Sequence, residues 1–221
     1  MNTAKVKNNR KNSSKNLLNS LLLIGLVIPA TGYSSSNFSY TQAHLQGGYL
    51  YFDNPLNITH NDGVDKYRYL PLLNISLSYQ NTYGIIFSAS GTQASDDTSY
   101  TKFNLQSQSA KIGYAWGVKQ SSDVYMMLGQ YWNQAKACGL QTCLKESEQN
   151  QGLDFGGRTW IGKRVELAGN YRVNYIFDSK STINSFTLQS AYWINRHSQL
   201  TLSLNTSPDI MTATAGLRFS Y

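Results

Sequence analysis

Residues 165–178 read Val-Glu-Leu-Ala-Gly-Asn-Tyr-Arg-Val-Asn-Tyr-Ile-Phe-Asp, and their order decides the fold. Val165, Leu167, Gly169, Tyr171, Val173, Tyr175 and Phe177 share one parity, and all but the glycine are apolar or aromatic. Glu166, Ala168, Asn170, Arg172, Asn174, Ile176 and Asp178 take the other. A strand sends alternate side chains to opposite faces, so one face meets an apolar medium and the other a polar one. Helical spacing would scatter the apolar set around a cylinder. The segment is a long strand.

The same rhythm runs through everything after Ser39. Tyr67, Tyr69, Pro71, Leu73, Ile75, Leu77 and Tyr79 alternate with Lys66, Arg68, Leu70, Leu72, Asn74, Ser76 and Ser78, followed by Tyr83, Ile85, Phe87, Ala89 and Gly91. Ala110, Ile112, Tyr114 and Trp116 end another strand. Val124, Met126 and Leu128, or the opposite parity, begin the next. Phe186, Leu188, Tyr192 and Ile194 mark one more, and Met211, Ala213, Ala215, Leu217, Phe219 and Tyr221 the last. Turn-forming residues divide the chain into ten strands, near 39–52, 66–80, 83–94, 100–117, 122–135, 150–161, 165–178, 185–195, 199–206 and 210–221, with eight as the alternative. Short turns near 80–82, 119–123, 162–164 and 195–198 alternate with looser loops near 53–65, 94–99, 135–151 and 178–184. An even count places both chain ends beside the short turns.

Composition narrows the class. Charged residues are 14% of the 221-residue chain, low against the roughly 25% of soluble domains. Ser, Thr, Asn, Gln and sixteen Tyr make up the difference. No run approaches the about 20 apolar residues of a membrane helix; the longest, Leu21 to Ile28, has eight. The net charge of +7 is unevenly placed. Lys5, Lys7, Arg10, Lys11 and Lys15 precede Leu17, and no acid occurs before residue 33, which leaves 14 basic and 12 acidic residues, net +2. No basic stripe remains to bind nucleic acid.

Residues 1–16 form a positive leader, Leu17 to Ile28 an apolar segment, and Pro29-Ala30-Thr31-Gly32 a small-residue stretch like a cleavage site. This is the layout of a secretory signal peptide, and the apolar segment is short for a membrane anchor. Residues 1–32 are therefore read as signal peptide and 33–221 as the mature domain, with the polar stretch 34–39 a flexible lead into the first strand.

Strands of this kind build either a soluble sandwich or lipocalin-like barrel with apolar residues inside, or a membrane barrel with them outside. Three features favour the membrane barrel. The strands are long enough to cross at a tilt. Tyr67, Tyr79, Tyr83, Tyr171 and Tyr175 sit toward strand ends on the apolar face, where an amphipathic ring suits the headgroup level. Arg, Glu and Asn occupy mid-strand positions of the polar face, which a sandwich core would bury at high cost. Charges within a membrane protein face inward and pair, so Asp154, Arg158, Glu166, Arg172 and Arg218 are read as a lumen network, with Arg158 and Arg172 bonding Glu166 or Asp154. Ten strands lie near the size at which side chains fill the interior.

The ending Leu217-Arg218-Phe219-Ser220-Tyr221 resembles the C-terminal assembly signature of small outer-membrane β-barrel proteins of Gram-negative bacteria, carried by Leu217, Phe219 and Tyr221. Leu45-Gln46-Gly47-Gly48-Tyr49 and Val165-Glu166-Leu167-Ala168-Gly169 are similar to strands of that family. The resemblance implies a closed antiparallel transmembrane barrel in the outer membrane. It also implies contact with lipid and lipopolysaccharide, and assembly by the barrel-insertion machinery. It implies little about activity, because such barrels serve as pores, adhesins, scaffolds and a few enzymes.

Chemistry-bearing residues are sparse. His44, His60 and His197 have no acid and nucleophile at recognisable spacing, and Asp96-Asp97 reads as a solvated turn. There is neither a C-x-x-C nor an H-x-x-x-H pattern, so no metal ligand, cofactor or catalytic residue is assigned. Cys138 and Cys143, the two cysteines, fall in the longest loop. In an exported chain they read as a disulfide rather than two free thiols. The expected function is non-enzymatic, either structural or a narrow pore for small solutes. The competing reading is a surface protein acting through loops 53–65 and 135–151.

Overall fold

The computed structural model describes residues 37–60, 63–98, 100–139, 143–177 and 179–221. Residues 1–32, assigned to the signal peptide, lie outside the described residues.

Ten antiparallel strands close into one barrel: β1 (Gln42–His60), β2 (Gly63–Gln80), β3 (Ile85–Asp97), β4 (Lys102–Lys119), β5 (Ser122–Cys138), β6 (Cys143–Ile161), β7 (Val165–Ile176), β8 (Ser181–Trp193), β9 (Ser198–Thr206) and β10 (Ile210–Ser220). Each strand pairs with its sequence neighbours, and β1 pairs with β10 from Gln42↔Ser220 to Phe52↔Ile210. Closure leaves no unpaired edge, so the ladder is complete around the circumference.

Alternation sets the two surfaces. Ile75, Leu45, Leu217, Leu200 and Tyr192 stand opposite one another from strand to strand, forming an apolar row on the outside. Phe87, Ile112 and Leu128 form a second. All of these side chains are exposed, as are Tyr79, Tyr83, Tyr171 and Tyr175. Val124 and Leu128 also point outward, which settles the open parity of β5 and turns Tyr125, Met127 and Tyr131 inward. The opposite face buries Asp154, Arg158, Glu166, Gln199, Thr201 and Arg218. The outward belt is apolar and the paired charges lie inside, the reverse of a soluble barrel. Two buried apolar clusters, one around Phe38 and Ile86 and one around Tyr67, Leu70 and Phe103, also face inward.

Glycine at two positions lets the seam close. A Cβ on Gly216 would lie 2.0 Å from the Leu45 carbonyl oxygen, and one on Gly48 2.0 Å from that of Ala213. Both obstacles are backbone, so they cannot swing aside.

Several expectations need correction. Residues 53–65 and 135–151 are not loops: β1 and β2 pair to His60↔Gly63, and β5 and β6 to Cys138↔Cys143. His60 and the Asp96-Asp97 pair accordingly lie in strands. The 143–151 arm is polar on both faces apart from Cys143 and Leu144, so it carries little alternation to read. Leu56 and Ile58 of the β1 arm instead pack inward against a buried cluster of Tyr67, Leu70, Leu72, Ala94 and Phe103. Pro55 lies within the irregularity between Tyr51 and Leu56, where a residue without an N–H is tolerated. Past this shift Tyr67 packs against Phe103 with ring centroids 5.7 Å apart, and it is 2% exposed, so it does not belong to the outer tyrosine set. Residues 37–39 are not a loose lead either. Phe38 is buried in a cluster with Tyr40, Ile86, Ala115 and Met127 at the short-turn end of the barrel.

Candidate functional site

The interior carries two charged clusters, each built on one carboxylate. Glu166, near the start of β7, accepts hydrogen bonds from Arg158 Nε (2.9 Å) and Nη2 (3.0 Å) of β6 and from Arg218 Nη2 (2.7 Å) of β10. Arg218 Nε also donates to the Gln199 side-chain oxygen, and Gln199 Nε2 donates to Ser220 Oγ at 2.9 Å. The Arg158 guanidinium lies 4.7 Å from the ring centres of both Phe38 and Tyr40, and its Nη1 donates to the Ser39 carbonyl. The residues that close the short-turn end are therefore tied to the charge cluster.

Asp154, farther along β6, holds the second cluster. Its oxygens accept from Arg172 Nε (2.6 Å) and Nη2 (3.1 Å), Lys111 Nζ (2.9 Å) and the Tyr131 hydroxyl (3.0 Å). Asp154 and Arg172 are direct partners in the β6–β7 register. Arg172 and Lys111 also approach the face of the Tyr131 ring, at 4.7 and 5.6 Å. The arrangement is a four-strand clamp across β4, β5, β6 and β7.

Free space divides around these clusters. A chamber of about 280 Å³ is lined by His44, Gln46, Lys111, Asp154, Asn170 and Arg218, among others. A second space of about 430 Å³ opens beyond it, between Leu50, Leu105, Asn133, Asn150, Asn205 and their neighbours. Arg172 lines both, and its partner Asp154 lines the first. The chamber wall carries polar groups without a partner among the described residues: Gln46 Nε2, Gln189 Nε2, Gln42 Oε1 and Asn170 Oδ1. Buried polar groups are normally satisfied, and a polar space of this size admits several waters.

The short-turn end is sealed by residues just before β1. Asp123 accepts from the backbone N–H of Asn37 (2.9 Å) and Phe38 (3.2 Å) and from the Asn37 amide (2.8 Å). Phe38 stacks on Trp160 at 5.4 Å between ring centres.

Sequence reading named Asp154, Arg158, Glu166, Arg172 and Arg218, and the structure divides them between these clusters. It did not name Lys111, Tyr131, Gln199 or Asp123. Lys111 was within reach, because it alternates with the outward Ala110 and Ile112. Nothing local marks Gln199 or Asp123, whose partners lie 19 to 86 residues away. His44 Nε2 and Thr201 Oγ1 lie 2.7 Å apart, a contact between strands no spacing rule connects. Leu217, Phe219 and Tyr221 all project outward. Tyr221 also closes the seam through its N–H, which donates to the Thr41 carbonyl at 3.0 Å. At the opposite end Cys138 and Cys143 are disulfide-bonded on the last rung of the β5–β6 ladder.

No protein-family model matches the chain, and no curated protein does. Among solved structures, the outer membrane protease OmpT from Escherichia coli superposes with a TM-score of 0.56 at 10% identity, over 81% of this chain and 96% of that one. That likeness is one of fold. The translocator domain of the autotransporter NalP from Neisseria meningitidis gives a TM-score of 0.47 at 7% identity over 93% and 95% of the two chains. Ail, the attachment invasion locus protein of Yersinia pestis, gives 0.41 at 12% over 81% and 99%.

Proposed function

We propose that this chain is an outer-membrane β-barrel that works without catalysis, spanning the envelope and offering a narrow hydrated passage to small solutes. One observation carries the reading. The barrel turns Leu, Ile, Phe and Tyr outward around its circumference and buries paired charges inside. That inversion suits hydrocarbon outside and water inside. Such barrels have short periplasmic turns, which puts the Phe38 seal on the periplasmic side and the long hairpins outside the cell.

The lumen chemistry supports transit rather than turnover. Among the described residues, His44 meets the Thr201 hydroxyl and no carboxylate bonds its other ring nitrogen, and Thr201 is 2% exposed. A nucleophile–base–orienter arrangement needs all three parts. We read the chamber, the Arg172 side chain and the second space as one path, with Arg172 as its neck.

Single-channel recording of the refolded barrel in a planar bilayer tests this. Small conductance steps are expected, and Arg172→Ala should enlarge them by removing the side chain at the neck. Conductance as large as that of a 16-stranded porin contradicts the reading, because ten strands enclose far less space.

A further inference from the structure

The chamber is short of negative charge. Lys111, Arg158, Arg172 and Arg218 all line it, and Asp154 lines it with them. The four cations share two carboxylates, Asp154 and Glu166. A third buried carboxylate, Asp123, is turned to Asn37 and Phe38 at the seal and does not line the chamber. His44 is the remaining titratable wall residue of the histidine and carboxylate types.

Aromatic rings soften this surplus without neutralising it. Arg158 lies over Phe38 and Tyr40, and Arg172 and Lys111 lie over Tyr131, yet a ring face offers a quadrupole and no charge. Arg218 has no such ring contact among the described residues. Water satisfies single donors and acceptors, but it cannot supply a counter-charge, and a buried cation without one is costly. The wall also presents donors without a partner among the described residues: Gln46 Nε2, on a side chain 9% exposed, and Gln189 Nε2. Surplus charge and these donors line the same chamber.

We infer that the chamber is a binding site for a small monovalent anion, a halide or small carboxylate, held between the Asp154 and Glu166 clusters. Gln46 and Gln189 donate to it, while Arg172 and Arg218 supply the surplus charge. The unpartnered acceptors Gln42 Oε1 and Asn170 Oδ1 take the waters that accompany it. This rests on the passage reading for its purpose, since it names the solute class that the path favours. The site itself is measured without any conduction.

The pairing suggests the variant. Arg172→Gln leaves Asp154 with Lys111, and Arg218→Gln leaves Glu166 with Arg158. The double variant thus keeps each carboxylate paired and removes both surplus charges. Chloride-35 NMR linewidths of the mature barrel in uncharged detergent are the readout. The wild type should broaden the line above empty micelles, and the double variant should lose at least fivefold of that excess. If the double variant does not close, Lys111→Gln, which leaves Asp154 with Arg172, should lose about half of it. Broadening equal to that of micelles, or equal in wild type and variant, overturns the inference. Broadening that vanishes in the variant, from a barrel that conducts nothing, keeps the anion site and overturns the passage reading.

Discussion

Arg158 and Glu166 form a two-pronged ion pair inside the barrel, with Nε and Nη2 of the arginine at 2.9 and 3.0 Å from the two carboxylate oxygens. Glu166 is 1% exposed, and Arg218 adds a third hydrogen bond to it. The pair does more than fill space. The same guanidinium backs Phe38 and Tyr40, so one arginine couples the lumen charge to the seal at the short-turn end.

Sharing a carboxylate makes the two sides of this cluster unequal. Glu166→Gln leaves Arg158 and Arg218 facing each other without a counter-charge, and stranding buried charge in this way costs about 3–5 kcal/mol. Arg218→Gln leaves one complete pair while removing the bonds to Glu166 and Gln199, and should cost about 1–3 kcal/mol, the range for buried partners left unsatisfied. Urea unfolding in lipid vesicles should rank Glu166→Gln well below Arg218→Gln. Equal losses would mean that the second arginine does not compensate.

Gly216→Ala should weaken closure. Its Cβ would meet the Leu45 carbonyl oxygen at 2.0 Å, so the β1–β10 seam must part locally, at a cost of about 1–3 kcal/mol. Ala215→Gly, on the neighbouring outward position, brings no such clash. On unheated gels the Gly216→Ala barrel should lose its compact, faster-migrating form at a lower temperature than wild type. No difference would show that the seam has slack.

How much of this could be read beforehand depended on which medium each face meets. Val165, Leu167, Tyr171 and Val173 alternate with Glu166, Asn170 and Arg172 because hydrocarbon and water lie on opposite sides, and that contrast is written residue by residue. It gave the strand count and placed Asp154, Arg158, Glu166, Arg172 and Arg218 on the inner face. Beyond the apolar belt both faces are wet, so Lys136, Lys145 and Glu148 carry no parity and their strands read as loop. Phe38 and Tyr67 failed for another reason. Their positions come from contacts with Trp160 and Phe103, distant in sequence, and no local pattern encodes those.

Reduction of the disulfide should act locally. Cys138 and Cys143 close the tip of the β5–β6 hairpin, and so small a loop gains about 2 kcal/mol in the chain-entropy model. The tip lies far from the Glu166 cluster, so the loss is felt as fraying. Trypsin should cut at Lys136 and Lys145 faster after reduction, while the heat-modifiable gel shift of the barrel stays unchanged. Loss of that shift on reduction would mean that the staple supports the whole barrel.

The C-terminal residue is predicted to matter in assembly more than in the finished fold. The Tyr221 side chain is 78% exposed, while its N–H holds Thr41. Tyr221→Ala keeps that backbone bond but removes the terminal aromatic of the family-like signature. Its level in the outer membrane should fall several-fold, with refolding in detergent near wild type. Equal levels in that membrane would count against the signature reading.

The central claim is that the barrel is inverted, with lipid outside and polar groups within. Nitroxide labels placed singly at residues 200 to 204 of β9, in barrels reconstituted into lipid vesicles, test it most directly through their collision rates with dissolved oxygen, which concentrates in hydrocarbon. Labels replacing Leu200, Leu202 and Leu204 should collide often, and those replacing Thr201 and Ser203 rarely, giving a period of two along the strand. The opposite phase, or uniformly low oxygen collision along the whole strand, would contradict a barrel that spans the membrane.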